Sequence, residues 1–294
     1  MIKWAGTTYS LHPLFVIMLT LSAITGHIME LLTLFSIVLI HELGHVVAAR
    51  WCGWSIDEVK LLPFGGVAET KDGAVSPAWQ EIVVAIAGPL QNGILIVVAY
   101  VCLWTGLWSD EWSQYFVEAN VMIASFNLLP ILPLDGGRIV QAISSRWLSY
   151  HHALIAGAWM SIGASILLIG YALQPLLENK PFDLNMLTLA VFLLWSNGTE
   201  LRHVPYRFVR FLMNRPQRLR KREESGTLGV PIVVQAGRPL IEVLKRFQRD
   251  GYHLIYIMSA EGKVRKVIPE QQLIDAYFKD KSNWDQSVPP ALSG

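Results

Sequence analysis

One short stretch of this chain carries residue types that can do chemistry on a metal: His41-Glu42-Leu43-Gly44-His45. Residues four apart on a helix share a face, with side chains about 5–6 Å apart. Two imidazoles at that spacing can grip one Zn²⁺ at about 2.0–2.1 Å each. Glu42 lies beside them and is free to act as a general base. The surrounding residues are apolar, and a carboxylate within a membrane helix costs at least about 2.5 kcal/mol. Metal-assisted hydrolysis is one use that offsets such a cost; a polar helix contact and a proton relay are others. A hydrolytic zinc site needs a third protein ligand and an open fourth position. Asp135, in Asn127-Leu128-Leu129-Pro130-Ile131-Leu132-Pro133-Leu134-Asp135-Gly136-Gly137-Arg138, is the candidate, although Asp-Gly-Gly is also ordinary turn chemistry.

The elements that must hold these residues are membrane spans. Of 294 residues, 52% are hydrophobic and 16% charged. A soluble domain carries about 25% charged residues. Crossing the hydrocarbon core takes about 20 apolar residues, and six stretches qualify, near 11–27, 30–50, 79–104, 116–134, 152–173 and 184–201. Pro130 and Pro133 predict that the fourth is broken or extended at its end. Residues 56–78, with Leu61-Leu62-Pro63-Phe64-Gly65-Gly66-Val67, are too short to cross and predict a re-entrant or interfacial hairpin. Lys and Arg alternate between the loops so that both termini are expected on the cytoplasmic side. The second and fourth spans then both run inward. His41, His45 and Asp135 should reach the same depth near the inner face.

The remainder is different in kind. Residues 1–201 hold 7 Lys and Arg against 14 Asp and Glu; residues 202–294 hold 17 against 9. The basic run 202–226 is expected to be a linker or surface helix on the anionic membrane face, not a nucleic-acid arm. A small α/β unit follows at 227–281, with strands at 231–234, 254–258 and 264–268, and helices at 239–249 and 270–278. Residues 282–294 read as a disordered tail. Two cysteines, with no Cys-x-x-Cys, exclude a disulfide scaffold and a cysteine metal site. The expected fold class is a polytopic α-helical membrane protein of about six transmembrane helices with a re-entrant hairpin, plus a small C-terminal α/β domain.

His41-Glu42-Leu43-Gly44-His45 in one span and Leu134-Asp135-Gly136 in another resemble the site-2 protease family of intramembrane zinc metalloproteases. Ala87-Gly88-Pro89-Leu90-Gln91-Asn92 resembles the family's small-residue helix motif. The resemblance covers roughly residues 10–200, and Leu62-Pro63-Phe64-Gly65-Gly66 and Pro133-Leu134-Asp135-Gly136-Gly137 bring it close to the sporulation branch. It implies peptide hydrolysis, with one Zn²⁺ on His41, His45 and Asp135 and with Glu42 as base. Asn127 matches a family asparagine that could hold substrate or intermediate, or equally serve as an interhelical contact. Phe64, Gly65, Gly66 and Pro133 could line a substrate groove in which an exposed β-edge pairs with an unwound substrate.

For that branch the substrate is a membrane-associated precursor of a sporulation sigma factor, held uncut by inhibitory membrane partners in the mother-cell membrane around the forespore. Residues 227–281 resemble a single CBS (cystathionine-β-synthase) domain. Such domains work in pairs and bind adenine nucleotides, which implies a homo-oligomer and ATP. However, Pro269 and Gln272 replace the usual phosphate- and ribose-binding residues, so the nucleotide-binding residues are unknown. A metal-ion or proton transporter with a CBS regulatory tail is the alternative, but polar residues are few in the outer halves of the spans. An N/O ligand set suits zinc best, though iron or cobalt can also bind.

Overall fold

The structure, a computed structural model, describes residues 2–4, 7–11, 22, 24–54, 56–62, 65–70, 76–178, 181–223, 228–259 and 261–279. Most of the expected span at 11–27 lies outside these, as do Phe64, residues 224–226 and the tail at 282–294. The chain divides into two compact units, residues 1–140 and 141–294.

The first unit combines long helices with a small sheet. Helix α1 spans Ile28–Trp51, α2 Ala78–Trp104 and α3 Asp110–Asn127. At about 1.5 Å per residue, α1 and α2 exceed the roughly 30 Å hydrocarbon core. Gly26, at φ +82°, turns the chain just before α1. Glycines let these helices approach closely. A Cβ on Gly44 would stand 2.5 Å from the Gln91 side chain and 2.7 Å from the Ala87 carbonyl oxygen, so only a small residue fits this crossing. Ser109 caps α3, accepting from the Trp112 N–H at 3.4 Å. The helix stops at Asn127 and does not run on to 134, because Pro130 forces the preceding residue out of helical geometry. Residues 128–134 form an irregular turn before α4, Asp135–Ser144.

Strands β1 (Ile2–Trp4), β2 (Thr7–Leu11), β3 (Ile56–Leu62) and β4 (Gly65–Thr70) lie in that order in one sheet. β3 and β4 form the expected hairpin, with Leu61 opposite Gly66 and Leu62 opposite Gly65. β4 is an edge strand.

In the second unit, α5 (Tyr150–Leu173) continues as a 3₁₀ turn over Gln174–Glu178 and packs along α6 (Leu184–Glu223). Among the described residues, three helices are long and apolar enough to cross a membrane: Ile28–Trp51, Ala78–Trp104 and Tyr150–Leu177. The first half of α6, expected as the sixth span, is interrupted by Asn185, Asn197 and Glu200. Residues 202–223, expected as a linker or surface helix, continue α6 without a break. Val204, Phe208, Phe211, Leu212 and Arg215 recur at helical spacing and are all buried.

Strands β5 (Gly229–Gln235), β6 (Tyr252–Met258) and β7 (Val264–Pro269) follow, with helices α7 (Leu240–Leu244) and α8 (Glu270–Lys279). β5 pairs parallel with β6, and β6 antiparallel with β7. Ile232, Val234, Ile255, Ile257 and Ile268 meet Val243, Leu244, Leu273, Leu154, Phe208 and Leu212 in one continuous core. The sheet is therefore built onto the ends of α5 and α6.

The helix expected at 239–249 is shorter, ending at Leu244. The Lys245, Arg246 and Phe247 N–H groups still bond back to Ile241, Val243 and Leu244, but the Phe247 carbonyl accepts from the Tyr150 N–H at 2.9 Å, and the Arg215 guanidinium takes the Gln248 and Gly251 carbonyls. Carbonyls met from outside have no need of the helical ladder.

A three-ligand centre between helices α1, α2 and α4

His41 and His45 sit one turn apart on α1, and Asp135 opens α4. His41 Nε2 lies 3.2 Å from Asp135 Oδ2, His45 Nε2 lies 3.1 Å from the same oxygen, and the two Nε2 atoms are 3.2 Å apart. Helical spacing dictates the pairing of the histidines. The approach of Asp135 depends on the turn before it. Cβ atoms on Gly136 or Gly137 would collide with the Leu128, Ile131 and Leu132 backbone. The two glycines thus let the start of α4 nest against residues 128–132 and bring the carboxylate in. Pro133, which follows a cis peptide bond from Leu132, sits in that turn.

The other ring nitrogens are committed. His41 Nδ1 is 2.5 Å from Asn92 Oδ1, and His45 Nδ1 is 2.7 Å from the Val84 carbonyl oxygen. Both Val84 and Asn92 lie on α2. Pro89 removes an N–H from the ladder of this helix. Gly88 faces the centre: a Cβ there would overlap the His45 ring and stand 2.6 Å from His41 Nε2. Asn92 Nδ2 in turn donates to Asn120 Oδ1 at 3.0 Å, and Asn120 donates to the Phe116 carbonyl at 2.8 Å. His41 and Asp135 are buried, and Asn92 and Asn120 have no exposed surface.

With both Nδ1 atoms facing oxygen acceptors, each neutral imidazole presents an Nε2 lone pair. Two such lone pairs and a carboxylate oxygen meet within 3.2 Å. Atoms bound to one tetrahedral zinc at about 2.0–2.1 Å stand about 3.3–3.4 Å from one another. The donor set and its spacing fit a zinc ion.

Comparison with known proteins agrees with this geometry. The model of peptidase family M50 matches residues 29–118 and 105–170. Stage IV sporulation protein FB of Bacillus subtilis is 34% identical over 281 residues, 95% of each chain. The chain belongs to peptidase family M50. A zinc metalloprotease of Methanocaldococcus jannaschii is 37% identical over 139 residues, 46% of this chain and 40% of that one. A solved site-2 protease from Methanocaldococcus jannaschii superposes with a TM-score of 0.53 at 26% identity, covering 68% of this chain and 94% of that one. With its long apolar helices, the family places the chain in the membrane as an integral protein.

The other expected site residues are dispersed. Glu42 is half-buried on α1, next to His41. Asn127 is the last residue of α3, and its amide donates to the Ile123 carbonyl of its own helix at 3.0 Å. Gly65 and Gly66 lie on the edge strand β4. Sequence reasoning had not assigned roles to Asn92, Asn120 or the Val84 carbonyl. Amides within apolar helices are the signal for the first two, since a buried amide must find a partner.

Proposed function

We propose that this chain hydrolyses a peptide bond of a membrane-associated protein near the cytoplasmic face. The observation that carries this reading is the convergence of His41 Nε2, His45 Nε2 and Asp135 Oδ2 within 3.2 Å, with Glu42 next to His41 in sequence, in a chain of peptidase family M50. His41, His45 and Asp135 would hold the zinc, which would supply a Lewis acid for the scissile carbonyl and lower the pKa of water toward about 7. Glu42 takes the proton of the attacking water and passes it to the leaving nitrogen as the C–N bond breaks. The edge strand β4, with Gly65 and Gly66, pairs with the extended substrate, and the groove reading adds Pro133 and, outside the described residues, Phe64. Asn127 holds the substrate backbone or intermediate by hydrogen bonds.

The similarity to stage IV sporulation protein FB along nearly the whole chain supports a finer reading. The substrate is the precursor of a sporulation sigma factor, and inhibitory membrane partners restrain its cleavage. The enzyme sits in the mother-cell membrane around the forespore, crossing it about six times with both termini in the cytoplasm. Co-production with such a precursor tests this: cleavage by the parent and none by Glu42→Gln is expected. Equal cleavage by both contradicts the role given to Glu42.

Residues 227–281 are a single CBS-like module that pairs with a second copy. Its outer sheet face supports that pairing, because Val233, Tyr256 and Val267 are cross-strand neighbours there and both valines are exposed. On this reading the module binds ATP, through residues that the sequence does not name. Binding is best measured by calorimetry on the full chain, since Leu154, Phe208 and Leu212 complete the core of this unit; no heat above the buffer blank removes the nucleotide.

A further inference from the structure

We infer that Asn92 and Asn120 are positioning residues: a one-way chain of hydrogen bonds through them fixes the tautomer and ring plane of His41 and so keeps its Nε2 available to the metal. This rests on the metalloprotease reading above.

The direction of the chain follows from its fixed end. The Phe116 carbonyl can only accept, so Asn120 must turn its NH₂ toward it, at 2.8 Å. That leaves Asn120 Oδ1 facing Asn92, which must present its own NH₂, at 3.0 Å. Asn92 Oδ1 then faces His41, and His41 Nδ1 must carry the proton, at 2.5 Å. Every amide orientation is dictated by the one before it. Reversing the His41 tautomer would set a ring lone pair against Asn92 Oδ1 in a buried site, where an unmet polar contact is costly. The relay crosses three helices, α1, α2 and α3, none of which contributes Asp135.

His45 is oriented by a different device, the Val84 carbonyl, which no side-chain substitution can remove. The two ligands therefore differ in how they can be disturbed. Outer-shell partners of metal-binding histidines are commonly worth about 10–100-fold in metal affinity.

The test uses full-length protein in detergent, with zinc alone as the probe and bound zinc counted by elemental analysis over a graded chelator series. Asn92→Leu is expected to give up half its zinc at about 10–100-fold less chelator than the parent. Asn120→Leu moves the same way by a smaller factor. Asn92→Asp restores an acceptor to His41 but sets its second oxygen against Asn120 Oδ1, so it is expected to fall between the parent and Asn92→Leu. Peptide cleavage by Asn92→Leu recovers on adding excess zinc. Parent-like zinc retention in both leucine variants overturns the inference, as does loss in Asn92→Asp equal to that in Asn92→Leu. Should Asn92→Leu fail to elute as a single species, Asn120→Leu and Asn92→Asp decide the matter by the same criteria. A parent that holds no zinc overturns the metal reading itself, a result distinct from a zinc-bound parent whose asparagine variants are unchanged.

Discussion

Two buried clusters in this chain are made from histidines and a carboxylate, yet they settle their charges differently. In the C-terminal unit, Arg215 binds both carboxylate oxygens of Glu270, at 2.5 and 3.1 Å. Glu270 also accepts the His253 backbone N–H and Nδ1, each at 2.8 Å. His253 Nε2 accepts the Gln248 N–H at 3.1 Å, which leaves the proton on Nδ1. The Arg215 guanidinium lies over the Phe211 and Phe247 rings, and Phe247 stacks on His253. Protein groups saturate each charged atom named here. In the membrane cluster the outward-facing nitrogens are equally well held, by Asn92 and Val84, but the inward-facing atoms meet one another with no side-chain cation between them among the described residues. The first arrangement is a structural lock joining α6, β6 and α8. The second has the form of a ligand set. Residue types alone do not separate the two; the presence of an arginine at the point of convergence does.

The contrast can be broken from either side. The largest effect on folding is expected in the lock. Removing one partner of a buried ion pair leaves an uncompensated charge and costs about 3–5 kcal/mol. Glu270→Ala should therefore lower the unfolding midpoint of the detergent-solubilised chain substantially while leaving its zinc content per folded molecule unchanged. A drop in zinc without loss of stability would mean that the lock serves the metal site. Next comes Gly88→Ala, in which the added methyl overlaps the His45 ring and crowds His41 Nε2. It should weaken zinc retention at least tenfold, the lower end of the range for disturbed ligand orientation, with a smaller change in the unfolding midpoint. Parent-like zinc binding by Gly88→Ala would show that the imidazoles are not held where the geometry puts them.

The smallest effect is that of pH. Burial, with Arg215 nearby, holds the His253 pKa below its ordinary 6.5 despite its hydrogen bond to Glu270. Burial alone would raise the Glu270 carboxyl, but the hydrogen bonds from His253 and Arg215 outweigh it and keep its pKa below 4.5. Both groups favour the deprotonated form when folded. Their contributions are complete above about pH 6.5 and 4.5 respectively, and each is lost as pH falls toward the folded value. The unfolding midpoint should decline on acidification below about pH 6.5, and more steeply below about 4.5. Glu270→Gln should flatten the lower part of that curve. A midpoint that rises on acidification contradicts the assigned protonation states.

The legible parts of this chain were those written in local spacing. His41 and His45 announce their pairing by their separation, and Asp135, the candidate third ligand, lies against both. The order of strands and helices after residue 228 also followed from apolar periodicity. Contacts between distant segments were not legible. Nothing local tells that Asn92 meets Asn120, or that Val84 lends its carbonyl to His45. Arg215 was hidden among basic neighbours, although it continues the buried series of Val204, Phe208 and Phe211–Leu212. Just beyond the end of helix α7, Tyr150 and Arg215, far away in sequence, take the carbonyls of Phe247, Gln248 and Gly251.

The central claim is that His41, His45 and Asp135 form a metal centre, and metal content tests it most directly. Full-length protein and Asp135→Ala, purified in parallel without chelator, can be compared by elemental analysis. The account predicts about one zinc per chain in the parent, the stoichiometry of a three-ligand site, and substoichiometric zinc in Asp135→Ala. A parent without metal, or an Asp135→Ala chain that keeps its full complement, would contradict it.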